Sequence, residues 1–142
     1  MILSTKGRYG LKAAFELALN DGQGPISLKS ISSKYNISEN YLEQLLAKLR
    51  KQGYIKTVRG VNGGYMLAKK PSEITVGMIL RALEGEITPS DCLTGDVCNR
   101  EAICATRVIF EQIEQGINNV IDNTYLSDMV SKNPVAKQEG AS

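Results

Sequence analysis

Three glycines in five residues, Gly60, Gly63 and Gly64, separate the run Tyr54-Ile55-Lys56-Thr57-Val58 from the run Tyr65-Met66-Leu67-Ala68. Two short runs rich in aromatic and β-branched residues around a glycine-rich tip read as one antiparallel hairpin. The other periodic stretches are helical, so the fold class is mostly α (α+β), with a single small sheet. Ahead of the hairpin, Leu11, Ala14, Phe15, Ala18 and Leu19 recur at helical spacing from about Arg8 to Asn20, with Thr5 or Ser4 as the cap. Asp21-Gly22-Gln23-Gly24-Pro25 stops that helix. Ser27 caps a short second helix with Leu28, Ile31 and Tyr35 inward. After a tight turn at Asn36-Ile37, Ser38 caps a third, from Glu39 to about Gln52. Leu42, Leu45, Leu46 and Leu49 form its buried stripe, and Gly53 stands where a terminating glycine belongs. Two short helices, a tight turn and a following hairpin make a winged helix-turn-helix.

Beyond Pro71, Thr75 caps a helix through Val76, Ile79, Leu80 and Leu83 that ends at Gly85. Residues 86–99 read as a loop, and a long amphipathic helix follows from about Glu101 to Asn123. Its stripe is Val108, Ile109, Ile113, Ile117, Val120 and Ile121, on a rod of roughly 30 Å. Either the helix packs on its own domain or it pairs with a second copy. The N-terminal helices already close a core, so a homodimer is expected. The resulting division is a winged helix-turn-helix domain at 1–84 and a loop at 85–104 that bears the cysteines considered below. A dimerisation helix with a short terminal helix follows at 105–130, then a disordered tail at 131–142.

Charge divides the same way. Residues 1–70 hold twelve Lys or Arg against four Asp or Glu, a balance of +8, whereas residues 71–142 hold five against eleven, a balance of −6. Ordinary solvated faces would explain that asymmetry. Coupled to a winged-helix pattern in the basic half, it points to double-stranded DNA. Histidine is absent, which removes the commonest general base and every His-containing zinc site. No nucleophile is paired with a base, so an enzyme is not expected. The apolar runs are too short to cross a membrane, and the N-terminus has no signal-peptide core, so a cytoplasmic location is expected.

Cys92, Cys98 and Cys104 are the only cysteines, evenly spaced as Cys-x5-Cys-x5-Cys. An odd number argues against a disulfide framework. Zinc knuckles prefer closer spacing and four protein ligands, whereas thiolates spread more widely suit an iron–sulfur cluster. Zinc, redox-sensing thiols and plain structural thiols remain alternatives at this point.

Four segments together resemble the IscR-type iron–sulfur regulators of the Rrf2 family of bacterial winged-helix transcription factors. They are Ser4-Thr5-Lys6-Gly7-Arg8-Tyr9-Gly10, Ile37-Ser38 with Tyr41-Leu42-Glu43-Gln44-Leu45, Val58-Arg59-Gly60 with Gly63-Gly64-Tyr65, and the cysteine triplet. The resemblance implies a homodimer on a palindromic operator and crossed long helices at the dimer interface. It also implies a cluster, [2Fe–2S] in preference to [4Fe–4S], that controls DNA binding, with cluster-biogenesis genes as targets. Carried over by position, Ser38, Asn40, Tyr41, Glu43 and Gln44 of the recognition helix and Arg59 of the wing face DNA, and Cys92, Cys98 and Cys104 hold the cluster. Gly60 of the wing, by permitting close backbone approach, and Lys6 and Arg8, as cations or else plain solvated charges, are further DNA-contact candidates. Where such regulators place a histidine after the last cysteine, this chain has Arg107, so the fourth ligand is open between Asp91, Asp96, Glu101, Glu43 and a small molecule. The competing function is a small cluster-carrying or redox protein that docks a protein partner. Regulators of cysteine metabolism in the same family lack such a triplet.

Overall fold

The computed structural model describes residues 3–87 and 105–132. Six helices and one hairpin run in the order α1 (Thr5–Leu19), α2 (Leu28–Tyr35), α3 (Glu39–Lys51), β1 (Ile55–Val58), β2 (Gly64–Leu67), α4 (Val76–Glu84), α5 (Ala105–Asp122) and α6 (Leu126–Ser131). A 3-10 turn at Pro71–Glu73 leads into α4.

Three of the four expected N-caps are made by the side chains named for them. Ser27, Ser38 and Thr75 accept from the backbone N–H groups of Ser30, Tyr41 and Met78. Each supplies an acceptor to a donor with no partner inside its own helix. Asn36, in the left-handed region at φ 54°, makes the turn between α2 and α3, and Ile37 behind it is buried. The first helix departs from expectation. It starts at Thr5, not near Arg8, and Ser4 stands at the cap position without a side-chain capping bond.

The apolar faces of α1, α2, α3 and α4 meet around Ala13, Ala14, Leu17, Ile31, Leu42, Leu45, Leu46, Leu49 and Ile79. Ile55 and Leu67, paired across the hairpin, seal one end. The hairpin gains a third backbone segment, because Ile26 and Tyr65 exchange both N–H···O bonds, at 2.9 and 2.8 Å. Gly64 permits that approach, since a Cβ there would lie 2.2 Å from the Ile26 carbonyl oxygen. Tyr35 ties α2 to α1 by donating to Glu16 Oε1 at 2.6 Å, with Lys34 on the same oxygen at 2.7 Å. Burial, then that bond, push the Tyr35 phenol well above its ordinary pKa.

The last helix also enters this core. Leu126 of α6 is fully buried among the residues of α1–α4, and its N–H donates to Ile74 O at 2.9 Å. Val76 N–H reaches Thr124 O, and Thr75 bridges Tyr125. The core of residues 1–84 is thus completed by residues 124–126.

Along α5 the predicted stripe divides. Ile121 is buried with Val76, Leu80 and Ile87, and Ile117 packs on that cluster. Val108, Ile109, Ile113 and Val120 stay 54, 53, 43 and 65% exposed. Arg81 fastens the C-terminal end of the helix, donating through both terminal nitrogens to Asp122 and from Nη2 to Asn118 at 2.8 Å. That hydrogen-bonded guanidinium holds the Asp122 carboxyl below its usual range.

Candidate nucleic-acid interface and cysteine segment

Opposite the buried leucines of α3, helical geometry lines up Asn40, Gln44, Ala47 and Lys51, with Glu43 and Lys48 at the edges; all six are exposed. Ser38 spends one oxygen lone pair on the Tyr41 N–H at 3.2 Å and keeps its hydroxyl proton for another acceptor. Tyr41 is turned the other way. Its ring is half-buried and meets Tyr9 edge-on, centroids 6.4 Å apart at 83°. That contact sets the start of α1, which carries the exposed Lys6 and Arg8, against the start of α3. Lys12 lies over the Tyr9 ring at 5.2 Å, adding a further cation to this side.

The wing, β1 and β2 with their connecting tip, follows α3 in the chain. Arg59 and Gly60 are exposed beyond the last paired residues, Val58 and Gly64. Gly60 has φ 117°, which a side chain rarely adopts, and its carbonyl accepts from Gly63 N–H at 3.1 Å to close the tip. Lys56, Thr57, Arg59 and Val61 project from this hairpin into solvent.

Tyr65 of β2 links the two halves. Burial raises its phenol pKa, the Glu43 carboxylate raises it further, and Arg50 opposes them. Glu43 of α3 is therefore within electrostatic reach of Tyr65 in β2, and it is the only acidic side chain after Glu39 on α3. From the sequence Glu43 is a lone acceptor on a helix face; its electrostatic link to Tyr65 depends on how β2 folds back and has no local signal.

Cys92, Cys98 and Cys104, with Asp91, Asp96 and Glu101, lie outside the described residues. Among the described residues no group of three His, Cys, Asp or Glu side chains forms a metal site. Arg107, at the position expected for a histidine ligand, donates from Nε to Glu111 Oε1 at 3.1 Å one turn along α5. A protonated guanidinium has no lone pair for a metal, so this residue does not complete a ligand set. The donor chemistry of three thiolates within residues 92–104 does fit an iron–sulfur centre that lacks one protein ligand. No helix among the described residues is long and apolar enough to cross a membrane.

The sequence matches the family model described as Rrf2, iron-dependent transcriptional regulator, over residues 3–132. It is 45% identical over 131 residues to the HTH-type transcriptional regulator CymR of Bacillus subtilis (strain 168), covering 92% of this chain and 91% of that protein. The solved structure of B. subtilis CymR, described as the global cysteine regulator, superposes with a TM-score of 0.82 at 44% identity, covering 94% of this chain and 98% of that one. The HTH-type transcriptional regulator IscR of Aliivibrio salmonicida (strain LFI1238) is 37% identical over 135 residues, covering 95% of this chain and 80% of the relative. A solved T. potens IscR superposes with a TM-score of 0.76 at 43% identity, covering 92% and 87%.

Proposed function

This chain is a member of the Rrf2 family of transcriptional regulators, and from that premise we propose that it binds a palindromic operator as a homodimer under the control of an iron–sulfur cluster on Cys92, Cys98 and Cys104. The cluster is [2Fe–2S] in preference to [4Fe–4S], and the targets are genes of cluster biogenesis. The observation that supports the DNA half is the exposed polar face of α3, with the start of α1 held to it by the Tyr9–Tyr41 contact and an exposed wing following it in the chain. Asn40, Glu43 and Gln44 read base edges in the major groove, where a carboxylate is tolerated only if it accepts from a cytosine amino group. Lys6, Arg8 and the Ser38 hydroxyl bind phosphates, and Tyr41 serves by packing. Arg59 enters the minor groove, with Gly60 letting the backbone approach.

Removing the wing cation tests this reading. With an operator selected from a random-sequence pool, Arg59→Ala is expected to weaken binding about tenfold and to lower the salt slope by about one unit. An unchanged affinity and slope, measured by fluorescence anisotropy, would refute the assignment. Glu43→Ala is expected instead to broaden the range of sites bound, because it removes both a discriminating acceptor and a repulsion toward phosphate.

The cluster half rests on the donor set. Bound there, a cluster would join the three thiolates into one centre between α4 and α5. A fourth ligand from the chain would be an oxygen of Asp91, Asp96, Glu101 or Glu43; a small thiol or water is the alternative. Anaerobically purified protein is expected to absorb in the visible range, and each Cys→Ala change to bleach it. The 45% identity to CymR favours a second reading, a cysteine-responsive regulator with no resident cluster. Colourless anaerobic protein that still binds DNA decides for that reading.

A further inference from the structure

The first turn of α1 lacks a cap from its own sequence. Ser4 makes no side-chain capping bond, and no acidic residue occupies the first turn. In a capping box the third helical residue, usually Glu or Gln, reaches back to the backbone N–H of the cap residue. Here that position is Gly7, which has no side chain to reach with. The acceptor comes from elsewhere. Ser4 N–H donates to Glu84 Oε1 at 2.6 Å, from the last residue of α4 and 80 positions along the chain.

Glu84 occupies the space that a side chain at residue 7 would need. A Cβ on Gly7 would lie 2.7 Å from Glu84 Oε2 and 2.8 Å from its carboxyl carbon. Gly7 is buried and helical, so it is there for room and not for an unusual backbone angle. The carboxylate also sits at the positive end of the α1 dipole, where a negative charge is favoured. Sequence and contact together describe the carboxylate half of a capping box, supplied to α1 by a distant helix.

We propose that Glu84 is a positioning residue for DNA binding, supplying in trans the capping carboxylate that orders the first turn of α1. That turn carries Lys6 and Arg8, and Tyr9 beside them braces Tyr41 at the start of the recognition helix. Losing the cap frays residues 4–8, so both cations lose their fixed place and the brace on α3 loosens. The inference rests on the reading of this face as the DNA interface. Charge alone argues the opposite way, because deleting an acidic group near DNA strengthens phosphate attraction.

That opposition of sign makes the test decisive. Amide hydrogen exchange is followed at residues 4–8 on the full chain, and affinity for mixed-sequence duplex DNA is measured across a salt series. Glu84→Ala is expected to speed exchange in this turn about tenfold or more, to weaken DNA binding roughly threefold to tenfold, and to lower the salt slope by about one to two units. Glu84→Gln, which keeps an acceptor oxygen, retains most of the wild-type behaviour. The double variant Glu84→Ala with Gly7→Glu puts the carboxylate back in cis, in the space Glu84 has vacated, and restores both protection and affinity. Unchanged exchange in Glu84→Ala overturns the proposal, as does tighter DNA binding or a double variant that regains protection without affinity. Wild-type protein without salt-dependent DNA binding removes the interface reading itself and the proposal with it.

Discussion

Replacing Ile113 with glutamate is expected to turn a dimer into a monomer and to cost at least a hundredfold in operator affinity. Ile113, Gly116, Ile117, Val120 and Ile121 line an apolar groove along α5, and the exposed Val108 and Ile109 extend the same helix toward its start. An apolar strip of this extent on a helix is covered in a stable soluble assembly. In the proposed homodimer a second copy related by a two-fold axis would cover it with the matching strip, and would set the recognition helices about one DNA turn, roughly 34 Å, apart. A carboxylate at residue 113 would be buried there without a partner. The affinity loss follows from linkage: each winged helix holds its partner at a high local concentration over the second half-site, and that advantage typically amounts to 10²–10⁴. Sedimentation velocity at micromolar concentration checks the first part and anisotropy the second. Wild-type protein sedimenting as a monomer would overturn the architecture.

Leu126→Ala is expected to be the most destabilising single truncation outside α1–α4. The side chain is fully buried in the main core, and deleting a leucine in such a place costs about 2–5 kcal/mol. For a chain of this size, at about 3–4 °C per kcal/mol, that corresponds to a fall in Tm of roughly 6–20 °C at fixed protomer concentration. Calorimetry gives the shift directly, and a change of less than about 3 °C would mean that α6 is not part of this core. Oligomeric state is a useful control, because the exposed residues of α5 are left untouched.

Both predictions concern features that were unequally legible in the sequence. The caps at Ser27, Ser38 and Thr75 could be read because the acceptor and the donor it satisfies lie three residues apart. The buried stripe of α3 was equally plain, and once it is placed, the outward position of Asn40, Glu43 and Gln44 follows from 3.6-residue geometry. What the pattern missed depends on contacts far apart in the chain. Nothing near Ser4 announces Glu84, and the glycine that marks the place looks like a gap in the helix signal. Six residues of α6 are too few for a period, so Leu126 carried no sign of where it packs. The stripe of α5 was found whole, but apolarity cannot tell Ile121, which packs on Val76 and Leu80, from Val120, which does not.

The burial of Leu126 also bears on how the molecule is made. A winged helix whose core closed at the end of α4 could fold as soon as that helix left the ribosome. Here Ile74 and Val76 lack their backbone partners until residues 124–126 arrive. At about 5–20 residues per second, the stretch from Glu84 to Leu126 takes roughly 2–8 s to add. For that interval the core of α1–α4 lacks the side that Leu126 fills, while the segment bearing the three cysteines is being added. Those thiols are therefore translated before the core of α1–α4 can lock, so the order of synthesis places the cysteine segment in the chain before the helical core becomes rigid.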